Sequence, residues 1–562
     1  MLQAAPRSEE LTSKDDQKRF VRPWLWSAAI VVIIRLLHAT EINYDVTLQI
    51  QAAQHLLQGR GLAVYWPTAD DIAKPLTLEP LTQFAPGYSL YTAALNGAGV
   101  TDLGVVIKIF GAIATLAGWW GWARLAYPYM AEGMRQHRVG RVAGLWIAAV
   151  CPILFTMRWG STDILLWALI PWALEFIIRR RDLLAGLVIG AGLLTRYASV
   201  FVAGYAAAII VWQRREWQRL IALAAGMLPA FLIIWFMNAG ATTSAFSPGS
   251  VQISTDTFDV AGTRVVEGLN SLARANQLLL FWVPGRFQLW NRPAYEPFFA
   301  AIVCVLLPAI FILVMRRVKS GSDLRIVAAG LLIVLPPFLW ACGLVGTFNY
   351  LRILRYYEPL RPLAVLVAFF LASEKPARVG RVLLFGPAAQ AYVLAFIVTT
   401  AVEAAFIAVP TASGDPWRRA LVGVEPHPWP SFRLTYEFSA SRDFTLRLLE
   451  SDPKALLITN REYWFYADPA ADRSRIMRWE PCGSLRATQI SGPLRIFILE
   501  TELATPGRLG ARGTCWPELP EKVVKRFPEE RMTVLQADLG EHDRLTIRRE
   551  PASIPSSIPG QK

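Results

Sequence analysis

Apolar residues gather into long runs broken by short polar segments, rather than alternating singly with polar ones. Several runs reach the roughly 20 residues that cross a hydrocarbon core of about 30 Å. Candidate spans lie at 23–40, 101–125, 140–157, 162–178, 182–195, 197–212, 218–238, 297–315, 324–343, 358–373 and 382–409, about eleven by the hydropathy criterion. The two pieces between 182 and 212 are short, and read either as one bent pair or as a re-entrant hairpin. The pattern predicts an α-helical polytopic membrane domain over 23–409 behind a polar segment, 1–22.

From Pro410 the character changes: no run is long enough to span, charges are frequent, and helix and strand patterns alternate. Asp443 to Glu450 has helical spacing, Ala455 to Thr459 and Leu494 to Leu499 have the apolar character of buried strands, and Asp452-Pro453 marks a turn. Residues 410–562 therefore read as a separate, soluble α/β domain, with a Pro- and Ser-rich end expected to be disordered.

Charge gives the arrangement a direction. Only 18% of residues are charged, against about 25% in soluble domains. In a soluble protein the net charge of +14 would suggest nucleic acid. Here the basic residues flank the apolar runs, so membrane topology explains them and no nucleic-acid partner is implied. With the segment bearing Lys14, Lys18, Arg19 and Arg22 inside, the clusters at Arg135 to Arg141, Arg179 to Arg181, Arg214 to Arg219, Arg316 to Arg325 and Lys375 to Arg381 fall on that same side. The loops 41–100 and 239–296, and the tail, fall on the other. The expected localisation is a plasma or inner membrane, with a cytoplasmic N-terminus and an extracytoplasmic C-terminal domain. No small-residue cleavage site follows the first run, so it reads as a retained span.

Cys151, Cys304 and Cys342 lie in apolar runs, where cysteine acts as a small hydrophobe. Cys482 and Cys515 share the tail and could form a disulfide in an oxidising compartment.

The stretch after the first span holds the candidate chemistry: Glu41-Ile-Asn-Tyr-Asp45, then Gln51 to Gly61, then Phe84-Ala-Pro-Gly-Tyr88. Thr47 to Leu57 has the spacing of an amphipathic helix that could lie on the membrane surface, stopped at Gly59 and holding Asp45 at a fixed height. With this order, Gly160-Ser-Thr-Asp163, Leu194-Thr-Arg-Tyr197 and Arg352-Ile-Leu-Arg-Tyr-Tyr-Glu-Pro-Leu360 resemble short motifs of the GT-C membrane glycosyltransferases. That class includes protein O-mannosyltransferases and the lipid A aminoarabinose transferase. The resemblance covers roughly residues 20 to 410.

It implies transfer of a sugar from a polyprenyl-phosphate donor to a glycan, lipid or protein acceptor, with the bilayer as the third partner. Asp45 is then the candidate base for the acceptor hydroxyl. Arg196, Arg352 and Arg355 are candidates for the donor phosphate, because a guanidinium binds phosphate oxygens as a fork while its stem stays in apolar surroundings. Asp163, Tyr197 and Tyr356 complete the expected substrate-binding set. No cofactor is implied and metal dependence is not indicated: no His/Cys cluster has zinc-ligand spacing, Asp70-Asp71 reads as a solvated pair, and no phosphate-cradling loop suggests a nucleotide-driven pump.

Each residue also has a plain structural reading. Asp45 could be a solvated loop acid, Arg196 could snorkel or pair, and Arg352 and Arg355 could anchor at the interface beside Tyr350, Tyr356 and Tyr357. Arg35 and His38 read as snorkelling. The loop 239–296 carries Trp282, Phe287 and Trp290, which could cover an acceptor sugar or form an interfacial belt. An O-antigen ligase or polymerase-like enzyme, or a transporter, are the competing classes. A transporter would be expected to repeat its key segment, and there is no second copy of the Asp45 region.

Overall fold

The computed structural model describes residues 14–37, 40–41, 44–66, 70–82, 84–134, 162–214, 216–238, 434–435, 439–459, 465, 472–478, 488–501, 516–528, 530 and 532–547. The expected spans at 140–157 and from 297 onward, the loop 239–296 and all five cysteines lie outside the described residues.

The described apolar runs are helices: α1 (Lys14–Leu37), α4 (Leu103–Met134), α5 (Asp163–Ile178), α6 (Asp182–Thr195), α7 (Val200–Arg214) and α8 (Trp217–Asn238), with α2 (Tyr44–Leu57) and α3 (Gly87–Gly97) between the first two. Among the described residues, two helical stretches, Leu103–Leu125 and Trp217–Met237, are long and apolar enough to cross a membrane. The segment expected to be either a bent pair or a re-entrant hairpin is two short helices, α6 and α7, separated by a 3₁₀ turn at Tyr197–Ser199.

Packing in the bundle is close because small residues face large ones. Gly118 and Gly121 of α4 leave room for Trp167 and Trp172 of α5. Two indole N–H groups find acceptors across the same seam, Trp122 donating to the Trp167 carbonyl at 3.1 Å and Trp172 to that of Ala117 at 3.0 Å. Gly186 and Gly226 bring α6 and α8 together so tightly that a Cβ at either would meet facing backbone, the small-residue contact common between helices in lipid. The outward side of α8 exposes Trp217, Ile221, Phe231, Trp235 and Phe236, an apolar face suited to lipid.

The tail forms a mixed sheet in the order β6 (Ile476–Arg478), β5 (Leu456–Thr459), β8 (Leu494–Thr501), β10 (Met532–Leu539), β9 (Glu521–Phe527). β5 is parallel to both neighbours, and the last three strands run antiparallel to one another. The two expected strands are β5 and β8, side by side, and the expected helix falls within α9 (Ser439–Ser451). β7 (Gln489–Ser491) pairs with β11 (Arg544–Thr546) beside the main sheet.

One expectation is corrected by how the loop after α1 packs. Its hairpin, β2 (Ala63–Trp66) with β3 (Thr77–Pro80), and α2 share a core with the tail: Leu48, Ala52, Val64 and Leu81 pack with Leu446, Leu457, Phe497, Leu499 and Val534. Ile72 enters a second tail core with Leu456, Ile458 and Ile490. So α2 is covered by protein on both sides rather than lying on a lipid surface. The physical reason is that α2 is apolar on two sides. Val46 and Ile50 face the bundle core, and Leu48 and Ala52, roughly 200° away around the helix, face the tail. Gly59, at φ +73°, ends α2 in the left-handed conformation that glycine adopts without strain.

Candidate functional site

Three of the motif pieces meet at the end of the bundle where this loop packs. Pro86 precedes the first turn of α3 and Gly87 opens it. Gly87 lies against the last turn of α6, where a Cβ would fall 2.5 Å from the Leu194 carbonyl oxygen, so only glycine permits this approach. α6 then ends. Thr195 turns its hydroxyl back to the Gly192 carbonyl at 2.9 Å, and Arg196 takes extended backbone angles, φ −156° and ψ 121°. Such a break in a helix at membrane depth is tolerated where it is buried in protein or lines a cavity.

The break turns Arg196 toward the start of α5. Its Nη1 pairs with the Asp163 carboxylate and stands 3.4 Å from the Thr162 hydroxyl. The two side chains are only 11% and 4% exposed, so each charge needs the other. Asp163 is the first residue of α5, where the partial positive charge of the helix N-terminus also favours a carboxylate. The Tyr197 hydroxyl reaches the Phe84 carbonyl at 3.4 Å, joining the same two motifs a second time.

Asp45 is in the first turn of α2, and the next residue, Val46, is fully buried in the bundle core. α2 runs beside α3, with Leu57 opposite Gly97. Arg352, Arg355 and Tyr356 lie outside the described residues, as does His38.

Several functional neighbours were not singled out from the sequence. Lys108 is buried in α4 and its Nζ donates to the Leu36 carbonyl at 2.8 Å, closing the last turn of α1 just ahead of the Asp45 segment. A lone lysine in the run Val105-Val-Ile-Lys-Ile-Phe110 was the signal for it. The Thr162 hydroxyl and the Phe84 carbonyl carry no sequence signal beyond their motifs. Tyr88 and Tyr91 stack with Phe110, with ring centroids 4.8 and 5.2 Å away, and burial raises both phenols, Tyr91 to about 12. Both therefore stay protonated and cannot serve as bases.

Asp71 overturns the reading of Asp70-Asp71 as a solvated pair. It is 6% exposed, and its carboxylate accepts from Ala73 N at 2.9 Å, Ser491 N at 3.1 Å and Gln489 Nε2 at 3.2 Å. Burial pushes this carboxyl up, but the hydrogen bonds from Ser491, Ala73 and Gln489 outweigh it and hold the acid below its ordinary value. Among the described residues, no three His, Cys, Asp or Glu side chains converge as a metal site would require.

No family model and no curated protein matches the chain. Among solved structures, it is similar to ArnT from Cupriavidus metallidurans bound to undecaprenyl phosphate, with a TM-score of 0.41 and 14% identity over 92% of this chain and 98% of the other. The apo state of the same protein gives a TM-score of 0.38 and 15% identity over the same shares.

Proposed function

We propose that this chain is a polytopic membrane glycosyltransferase of the GT-C kind, moving one sugar from a polyprenyl-phosphate donor to an acceptor at the membrane face where the first loop and the tail lie. The observation that carries the reading is the meeting of three motif pieces: Phe84-Ala-Pro-Gly lies against Leu194 and Tyr197, and Arg196 between them pairs with Asp163. These segments are far apart in sequence.

Arg196 binds the donor phosphate in this reading. Asp163 holds the guanidinium in place and moderates its charge, and Tyr197 fixes the turn that presents it. Asp45 is the base. As the acceptor oxygen attacks the anomeric carbon, its proton passes to the Asp45 carboxylate, and the anomeric C–O bond breaks with its electron pair going to the phosphate. The products are a glycosylated acceptor and polyprenyl phosphate. That leaving group is stable as an anion, so no second carboxylic acid is required, unlike in glycoside hydrolysis. Arg352, Arg355 and Tyr356 are assigned to the same donor.

The full chain in lipid, given radiolabelled polyprenyl-phosphate sugar and an acceptor mixture, should release polyprenyl phosphate. Asp45→Asn should lower turnover by about a hundredfold or more with expression intact. Normal turnover in that variant would remove Asp45 from the role of base.

A further inference from the structure

We infer that the tail is a working part of the transfer site: through Asp71 and β7 it fixes α2, and with it Asp45, against the helix bundle. The inference rests on the function proposed above for what Asp45 does, but not for how α2 is held.

The loop is tied to the tail at several points. β1 (Thr40–Glu41), a few residues before Asp45, pairs in parallel with β4 (Leu434–Thr435). α2 follows, held on one side by the bundle core and on the other by the tail core. Its last turn is joined to the hairpin by His55, whose Nδ1–H donates to the Ala63 carbonyl at 2.7 Å. Beyond β2 the chain crosses onto the tail. Thr488 N donates to the Asp70 carbonyl at 2.8 Å, Ile72 N to that of Gln489 at 3.1 Å, and Leu76 N to that of Ser474 at 2.8 Å. Arg475 Nη1 donates to the Ala73 carbonyl at 2.8 Å.

Asp71 is the centre of this joint, because one buried carboxylate gathers donors from both segments. Truncating it strands the Ala73 and Ser491 N–H groups away from water, and a lost charged hydrogen bond of this kind changes an equilibrium by about tenfold or more. Asp163 opens a bundle helix and Arg196 and Tyr197 follow the end of another, so the joint bears on α2 directly and on them only at a distance along the loop. Asp71 is a positioning residue: loosening it should slow the proton transfer at Asp45 and leave donor binding at Arg196 unchanged.

The test uses the full chain in nanodiscs, comparing Asp71→Ala and Asp71→Asn with Asp70→Asn, because Asp70 is exposed and joins the tail through its carbonyl. Hydrogen exchange reads how firmly α2 is held, and donor kinetics read the site. For Asp71→Ala we expect exchange over 44–57 to rise about tenfold with α4, α5 and α6 unchanged, and kcat to fall about tenfold at constant donor KM. Asp71→Asn should lie between, and Asp70→Asn should behave as the parent. Should Asp71→Ala fail to insert, Gln489→Ala removes one donor alone and keeps both readouts. Unchanged exchange over 44–57 overturns the proposal. So does raised exchange with unchanged kcat, or a fall in kcat accompanied by an equal change in KM or by loosening of α4 to α6. If the parent turns over no donor, the function above fails, while exchange over 44–57 still decides whether the tail holds α2.

Discussion

An arginine meets a buried aspartate at both ends of the bundle, and the two pairs are built differently. At the end away from the loop, Arg219 forks onto Asp182, Nε to Oδ2 at 2.8 Å and Nη2 to Oδ1 at 2.9 Å, and Nη2 also donates to the Ile177 carbonyl at 2.9 Å. Both residues stand in regular first turns, of α6 and α8. The neighbouring Glu175 is paired with Arg124 and Arg179, each at 2.8 Å, and Arg124 lies over the rings of Trp120 and Trp172. At the loop end, Arg196 stands in a break between helices and meets Asp163 through Nη1, beside the Thr162 hydroxyl, while the Tyr197 hydroxyl reaches the Phe84 carbonyl. A buried charge alone therefore does not mark the site. A closed fork between regular helices fastens two elements, whereas the arginine at the loop end is presented by irregular backbone next to a loop.

That contrast can be broken most forcefully at Arg219. Arg219→Ala should cost about 3–5 kcal/mol in unfolding stability, because Asp182 would be left charged and buried. Arg219→Lys should also destabilise, since an ammonium cannot span both carboxylate oxygens. Arg196→Lys should instead spare stability and raise donor KM. Equal loss of stability at both arginines would erase the difference between the ends.

A smaller effect is expected at Gly87, where an added methyl must displace the α6 backbone carbonyl. Gly87→Ala should destabilise by about 1–3 kcal/mol and lower transfer. Gly97→Ala, at the other end of the same helix with only the Leu57 side chain at 4.0 Å, should do neither. Thermal unfolding and donor turnover of the two variants check this.

The smallest effect is a response to pH confined to the loop end. Burial lowers the His55 imidazole from its ordinary 6.5, the Ala63 carbonyl opposes this, and Arg473 and Arg60 lower it further. Undocked His55 thus takes up a proton at higher pH than the docked form. Its contribution to docking is complete above about pH 6.5 and is lost as the pH falls below that toward the depressed value. Exchange over 55–66 should rise between about pH 7.5 and about pH 5.5 in the parent, but not in His55→Asn, with α8 indifferent in both.

Local periodicity was enough to read the helices, β5, β8 and α9, and a motif order was enough to single out Asp163, Arg196 and Tyr197. The remainder depended on partners distant in the chain. Asp71 reads as solvated because its donors Gln489 and Ser491 arrive some four hundred residues later. α2 reads as a surface helix because an apolar stripe does not reveal whether lipid or a sheet covers it. Arg179 and Arg219 were legible as topology signals, but Glu175 and Asp182, which pair with them, were passed over.

The shared core of loop and tail also sets an order of assembly. Asp71 and its partner Gln489 are separated by 418 residues. At a synthesis rate of about 5–20 residues per second, the loop waits roughly 20 to 80 s for the strand that completes it. Throughout that interval Leu48, Val64, Ile72 and Leu81 have no sheet to cover them. The nascent chain must therefore carry an uncovered apolar loop until the strands that cover it have been made, so this loop is synthesised early and folds late.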